Sequence, residues 1–572
     1  MIGGAGAKRG PNQPPALWEV APPAPPARLR ALDVGSPLIA QLLWNRGMRD
    51  AAAAERFLRP EREPLGEPWR MAGVAEGVRR IRAALAAGAR IAIHGDYDVD
   101  GVSATAVLAL TLRRLGAEPI VHIPHRARDG YGLSPAAIHA LRARGARLVL
   151  TVDCGITANA EVALATDLGM EVVVTDHHHV PVTLPAAAAV LNPRQPGCAY
   201  GYEDLSGVGV AYVLARALLR DALPTAQADA AADELLDLVA LGTLADMVPL
   251  LGENRTLLAR GLHVLRAGRR PGVRALASVA GIDLRHLTAQ QAAFALAPRL
   301  NAAGRMGEAS DAYALLVAPD EATAAPLAER LNQLNRERQR AVGDGVALAR
   351  ELADADAPAL VVAGDFPPGI AGLVASRLTE ETGRPCVVLE RGDEYCKGSA
   401  RGPVGFHLAA ALAECADLLV KFGGHAQAAG MTLRTEHLPA FVERLQRLSA
   451  AALGPAPPPT RRQVDGVLAL RAVNWDFGEA LQALEPYGTG NPVPLFLTTG
   501  AVVRESRPLG ESGLALRLSD GGLPLRAVLF RAGEHAVSSG ALVSVVYQVE
   551  RSVFRGEVRL ELRLVDLRAT SG

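Results

Sequence analysis

The chain of 572 residues is long enough for several domains, and its 60 basic and 60 acidic residues leave no formal net charge. That balance excludes a globally basic nucleic-acid binder, so a polyanion would have to be met by a local surface. No run of about 18 apolar residues occurs, and the N-terminus lacks a signal-peptide apolar core, which points away from membrane-spanning and secreted classes.

Cys154, Cys198, Cys386, Cys396 and Cys415 are scattered without CxxC spacing, which reads as a cytoplasmic chain with reduced thiols. The only lysines are Lys8, Lys397 and Lys421. The arginine excess reads as the imprint of a GC-rich genome, although guanidinium groups also suit bidentate phosphate contacts.

In chain order, residues 1–30 are rich in Pro, Gly and Ala and read as a flexible lead. Residues 31–70 have a helical pattern and read as an extension of the first domain. Strand and helix patterns alternate from Gly73 to Leu250, the signature of a doubly wound parallel sheet. There, Arg90–His94 is a buried-strand run leading into Gly95-Asp-Tyr-Asp-Val-Asp-Gly101, and Val102–Leu115 has helical spacing. His94, Asp98 and Asp100 are thus expected in a strand-to-helix loop, where an α/β sheet presents its ligands. A second run, Leu148–Val152, delivers Asp153-Cys154-Gly155, and a third, Glu171–Val174, delivers Thr175-Asp176-His177-His178-His179. A helical stretch from Leu235 to Leu244 ends at Ala245-Asp246.

One acidic loop reads equally well as a solvated turn, and one Asp at a strand end is more often a helix cap. Several such segments in one sheet converge on one crevice. Carboxylate and imidazole donors together suit Mn²⁺ or Mg²⁺, and the pattern predicts a two-metal site. Cys154, with no sequence-adjacent base, reads as a small apolar filler.

From Gly261 to Arg350 the pattern is helical, with a long helix expected over 326–350 and Pro326 at its first position. A second α/β unit follows: strand Ala359–Ala363, helix Gly369–Thr382, strand Cys386–Leu389. Gly454–Thr460 is a proline-rich linker. Beyond it the period changes to two over Leu495–Val503, Leu514–Leu518, Leu525–Phe530, Ala541–Val549 and Val558–Leu567, which fits a small barrel or a sandwich. Phe496, Phe530, Tyr547 and Phe554 are available there for stacking or for core.

His94-Gly-Asp-Tyr-Asp-Val-Asp-Gly101, Val152-Asp-Cys-Gly155, Thr175-Asp-His-His178 and Leu244-Ala-Asp-Met247 resemble the four ordered motifs of the DHH phosphoesterase superfamily. Phe422-Gly-Gly-His-Ala-Gln-Ala-Ala-Gly430 resembles the signature of the companion DHHA1 domain. Pro298-Arg-Leu-Asn-Ala-Ala-Gly-Arg-Met306 and Pro486-Tyr-Gly-Thr-Gly-Asn-Pro492 resemble the RecJ family of bacterial single-strand-specific exonucleases, from about residue 65 onward. The resemblance implies a DHH domain with its helical extension over 31–325, a connecting helix over 326–350, DHHA1 over 351–453, a linker over 454–460 and an OB-fold barrel over 461–572.

The resemblance also implies a metal-dependent 5′→3′ exonuclease that degrades single-stranded DNA to 5′-mononucleotides in DNA repair and recombination. Two ions, Mn²⁺ or Mg²⁺, would be held by His94, Asp98 and Asp153 and by Asp100, Asp153, His177 and Asp246, with Asp153 bridging. Ions about 3.5–4 Å apart activate water, so no protein nucleophile is needed. Asp96 and Asp176 would orient ligands, His178 would contact the scissile phosphate, and His179 would be a surface residue. Arg126, Ser399 and Arg401 would grip a terminal 5′-phosphate. Arg299, Asn301 and Arg305 would line the strand's path, and His425 would face a phosphate. Gly402-Pro403 departs from the expected continuation after Arg401. A single-strand-binding protein and a helicase are the expected partners of a monomer.

Two rivals remain at this level: a DHH phosphodiesterase acting on short oligonucleotides or cyclic dinucleotides, and a catalytically silent DHH scaffold. Because the metal motifs and the Gly-Gly-His block all precede Gly454, residues 1 to about 455 are expected to retain hydrolysis.

Overall fold

The structure, a computed structural model, describes residues 16–126, 128–454, 459–510, 513–530, 537–554 and 557–569. They divide into two compact units. One holds residues 59–339 and 486–492; the other holds the chain up to 58, residues 340–485, and the chain from 493.

The first unit is built on β1 (Ile91–His94), β2 (Ile120–His122), β3 (Leu148–Val152), β4 (Glu171–Thr175) and β5 (Ala189–Leu191). All pairings are parallel, in the order β2-β1-β3-β4-β5. Every residue of β1 and β3 is buried, as continuous β-branched and apolar runs require when helices cover both faces. The strand order reverses between β1 and β3, which opens a crevice beyond their carboxyl ends.

The first helix of this sheet starts earlier than its pattern suggests. It spans Val99–Arg114 with Asp98 as N-cap, whose Oδ1 accepts from Gly101 N at 3.1 Å. Asp100 therefore lies in the first helical turn and not in the loop. The long helix also starts early and spans Glu321–Leu352, so Pro326 lies inside it and not at its first position. Asp320 Oδ1 accepts from Thr323 N at 2.8 Å, and this cap sets the start ahead of the proline.

Residues 486–492 belong to this unit, far from it in sequence. Leu250 N donates to Thr489 O at 2.7 Å, and the buried Arg255 donates to Pro486 O at 3.1 Å. A fragment ending at 455 would leave Arg255 buried without that acceptor. The expectation that residues 1 to about 455 retain hydrolysis therefore has to reckon with a segment of the catalytic unit that lies beyond Gly454.

In the second unit, Leu17–Val20 pairs in parallel with Arg461–Val464. Trp18 Nε1 donates to Asp566 Oδ2 at 2.8 Å, and the Arg568 guanidinium lies 3.7 Å above its ring. A short helix, Pro26–Arg30, follows. Residues 16–30 are thus structured, because a strand partner remote in sequence supplies the bonds that local composition could not. Residues 1–15 of the expected flexible lead lie outside the described residues. Residues 31–58 fall in this second unit and not with the first domain.

The DHHA1-like sheet comprises β6 (Leu360–Gly364), β7 (Cys386–Arg391), β8 (Tyr395–Arg401), β9 (Leu419–Gly424) and β10 (Ala428–Arg434), in the order β9-β10-β8-β7-β6. Its core includes Phe406, Phe441 and Leu445.

Beyond the linker come β11 (Gly466–Val467), β12 (Phe496–Leu509), β13 (Gly513–Ser519), β14 (Leu525–Leu529), β15 (Leu542–Phe554) and β16 (Glu557–Ala569). The ring β12-β13-β14-β16-β15 closes back onto β12, and β11 adds to its outside. Closure decides for the barrel over the sandwich. Phe496 and Tyr547 are core. Phe530 is exposed, with Arg563 5.5 Å from its ring, and the side chain of Phe554 lies outside the described residues.

Candidate active site

At the crevice, β1 delivers His94, the following turn Asp96 and Asp98, β3 Asp153, and β4 Asp176, His177 and His178. Asp246 closes the helix Leu236–Asp246. Asp153 takes the left-handed backbone at φ 60°, a conformation that costs of order 1 kcal/mol and that Asp tolerates better than most residues. The N-terminus of the helix Gly207–Ala222 faces these carboxylates. Gly207 N and Val208 N donate to Asp100 at 2.6 and 2.9 Å. A Cβ on Gly207 would lie 2.5 Å from Asp153 Oδ1, so only glycine lets the helix approach.

Ligand atoms converge in three groups, each within 4.8 Å: Asp153, His177 and His178; Asp100, His177 and Asp246; Asp96, Asp98 and Asp153. Asp153 belongs to two groups, as a bridging carboxylate should. His177 Nε2 lies 3.1 Å from Asp153 Oδ1, yet neither atom has a hydrogen-bond partner. Asp246 Oδ2 and Asp96 Oδ1 are also buried and unsatisfied. Burial, then repulsion from Asp98, pushes Asp96 up to about 8. Burial and the surrounding carboxylates likewise raise Asp100 and Asp153 well above the usual range, and burial raises Asp246. Crowded, desolvated oxygen donors with an orphaned imidazole nitrogen are what divalent cations satisfy. The donor set fits two such ions.

His94 is placed differently from the rest. Its Nε2 lies 3.2 Å from Gly132 O and its Nδ1 lies 3.1 Å from His122 Nδ1, so it stands outside the three groups. Burial, followed by the charge of His122, pushes it down to about 4, which keeps the imidazole neutral. Asp176 orients rather than converges. It accepts from His178 Nδ1 at 2.7 Å and from the backbone N–H of Ile156, His177 and His178. Burial opposes its ionisation, but the His178 bond and those N–H groups hold it below the usual range. His179 is exposed.

The Pro298–Met306 motif lies on a helix, Ala297–Met306, packed against the metal loop. Asn301 Oδ1 accepts from Val99 N at 3.2 Å, and a Cβ on Gly304 would lie 2.3 Å from Tyr97 O. Arg126 donates to Gly304 O at 3.3 Å and stacks 3.9 Å over the Tyr97 ring. Arg305 is half-buried on the same helix. Arg299 is held instead by Asn332 and the Ala295 carbonyl.

Ser399, Arg401 and His425 form a separate group in the other unit. Ser399 and Arg401, two apart on β8, share one face under the helix Pro368–Thr382. A Cβ on Gly372 would lie 3.0 Å from Arg401 Nη2. His425 sits exposed in the turn between β9 and β10, and Gly402 N donates to Gln427 O at 3.0 Å, which ties that turn to the end of β8. His122 and Tyr131 were not legible as site residues. Tyr131 Oη donates to Asp153 O at 3.2 Å and lies 3.3 Å from His178 Nδ1. The strand β2, in register with β1, is the signal for His122.

Carboxylates and imidazoles gathered at the switch point of such a sheet, ahead of a second α/β unit, define a DHH phosphoesterase. Residues 90–243 match the DHH family N-terminal domain, 356–451 the DHHA1 domain and 464–566 the RecJ OB domain. The single-stranded-DNA-specific exonuclease RecJ of Bacillus subtilis is 37% identical over 93% of this chain and 68% of its own length. The crystal structure of RecJ in complex with Mn²⁺ from Thermus thermophilus superposes with a TM-score of 0.84 at 34% identity, covering 97% of this chain and 80% of that one. The Mg²⁺ complex of the same protein gives a TM-score of 0.78 at 33% identity, over 97% and 79%. The chain belongs to the RecJ family.

Proposed function

We propose that this chain is a metal-dependent exonuclease that degrades single-stranded DNA 5′→3′ to 5′-mononucleotides, in the cytoplasm and in the service of DNA repair and recombination. The observation that carries the reading is the convergence of unsatisfied, buried donors from Asp96, Asp153, His177 and Asp246 at the switch point, in a chain that aligns with RecJ over nearly its whole length. Asp98, Asp100, Asp153, His177 and Asp246 are the proposed metal ligands, with His94 at their border. Those residues would hold two Mn²⁺ or Mg²⁺ ions, which would supply charge neutralisation at a phosphate and a water acidified for attack. Asp176 fixes Nδ1 of His178 and leaves Nε2 for a phosphate oxygen. Arg126, Asn301 and Arg305 flank the metal loop and suit the strand's phosphates. Ser399, Arg401 and His425 suit a terminal 5′-phosphate, whose dianion a guanidinium fork and a hydroxyl recognise.

The closed barrel and the match across three domains favour a polymeric substrate over a cyclic dinucleotide. A single strand must be supplied, so a helicase and a single-strand-binding protein are the proposed partners of a monomeric enzyme. The test is digestion of 5′-labelled single-stranded and blunt duplex DNA with Mn²⁺, Mg²⁺ or EDTA. Release of labelled mononucleotide from the single strand, abolished by EDTA, is expected. Equal digestion of blunt duplex without a helicase would refute the strand specificity.

A further inference from the structure

Pro486–Pro492 belongs to the catalytic unit, although its sequence neighbours on both sides belong to the other one. The loop is braced by its own turn. Gly488 and Asn491 exchange backbone hydrogen bonds, N to O at 2.8 and 3.1 Å. Asn491 is fully buried, and its Nδ2 donates to Pro486 O at 2.9 Å. Gly490 takes the left-handed backbone at φ 77°, which glycine adopts without steric cost. The buried Arg255 donates to the same Pro486 carbonyl.

The stretch that the loop meets is Pro249, Leu250 and Leu251. Leu250 is buried and its N–H donates to Thr489 O at 2.7 Å, a bond that the buried donor needs. A Cβ on Gly488 would lie 2.3 Å from Leu250 Cδ1, and one on Gly490 3.2 Å from Leu251 Cδ1, so the loop sits tightly on these side chains. Asn254 Nδ2 donates to Pro249 O at 3.1 Å. Three residues before Pro249 stands Asp246, the last residue of its helix. Met247 caps that helix at φ 63°, a left-handed backbone that a non-glycine residue keeps only where its surroundings enforce it. Asp246 shares a group of converging donors with Asp100 and His177, and its Oδ2 lies 3.8 Å from His177 Nδ1. The strained turn that aims this carboxylate is thus followed directly by the stretch on which the loop sits.

We propose that residues 486–492 are a positioning element for the metal ligand Asp246: the loop fixes Pro249, Leu250 and Leu251 and through them the turn at Met247, so that the carboxylate stands where Asp100 and His177 can share an ion with it. The role rests on the exonuclease reading, in which Asp246 is a ligand. It gives the Pro486-Tyr-Gly-Thr-Gly-Asn-Pro492 motif a task in the chemistry, although none of its residues belongs to the three converging groups.

Mn²⁺ titration calorimetry on the EDTA-treated full chain, with steady-state cleavage of a 5′-phosphorylated single strand, tests this. Asn491→Ala should weaken Mn²⁺ binding and lower kcat, each about tenfold, with KM for the strand near the parent's. Gly490→Ala adds only a Cβ in the left-handed turn, and should move both quantities the same way by about two- to threefold. It decides the matter where Asn491→Ala does not fold. In an Asp246→Ala background neither change should cost further Mn²⁺ affinity, whereas a loop that merely stabilised the fold would cost as much there as in the parent. Unchanged Mn²⁺ affinity in a folded loop variant, or losses that add to that of Asp246→Ala, would overturn the positioning role. A parent that binds Mn²⁺ but cleaves no single strand would overturn the exonuclease reading, while the affinity comparison would still decide the role of the loop.

Discussion

In the crevice at the ends of β1, β3 and β4, Asp96, Asp100 and Asp153 are buried side by side, and several of their neighbours' polar atoms lack partners. Around the outside of the barrel, Arg526 meets Glu561 at 2.6 Å, Arg563 meets Glu550 at 3.1 Å, and Arg517 lies 4.0 Å from Glu505. One region concentrates like charge where water is excluded; the other intersperses opposite charges in solvent. Stability alone would select the second arrangement everywhere. The first persists because cations complete it, so the two regions should respond to mutation and to metal on different scales.

The largest effect is expected at the bridge. Asp153→Ala should lower cleavage about a thousandfold or more and weaken Mn²⁺ binding measured by calorimetry, whereas His179→Ala should leave both near the parent. A fully active Asp153 variant at saturating Mn²⁺ would erase the contrast. Next comes the terminal anchor. Arg401→Ala should reduce kcat/KM on 5′-phosphorylated strands by about ten- to a hundredfold, with little change on 5′-hydroxyl strands, because one charge-assisted phosphate contact is lost.

Metal and pH separate the regions thermodynamically. The raised carboxyl groups of Asp96, Asp100, Asp153 and Asp246 bind more protons in the folded than in the unfolded chain. Their stabilisation is present below the unfolded pKa near 4 and is lost as pH rises through the raised values, about 8 for Asp96. The Tm of the EDTA-treated protein should therefore fall between about pH 5 and 8, and the gain on adding Mn²⁺ should grow over the same interval. A metal effect independent of pH would mean that these carboxylates do not carry it. The smallest change belongs to the barrel surface: Arg526→Ala should alter stability by less than about 1 kcal/mol in urea titration.

The legibility of the sequence follows the same divide. Leu148–Val152 and Glu171–Thr175 were readable almost to the residue, because strands covered on both faces must be continuous apolar runs. The barrel strands were readable by alternation, but closure was not, since β12 pairs with β15 across an intervening stretch that no local period reports. At the site, types and order of residues revealed the metal chemistry, whereas His122 and Tyr131 act through register and loop geometry. The strand Leu17–Val20 was hidden by its proline-rich flanks and by a partner some 440 positions away, as in Leu17 and Arg461.

The return of residues 486–492 to the catalytic unit has a bearing on biogenesis. Residues 340–485 separate them from the rest of that unit. At ordinary synthesis rates a ribosome needs roughly 7 to 30 s to traverse that interval. Throughout it, Arg255 has emerged without the Pro486 carbonyl that it meets in the finished protein. The catalytic unit, begun at residue 59, is thus completed only when residues 486–492 emerge, so a nascent chain cannot present the finished core while it is still tethered upstream of that segment.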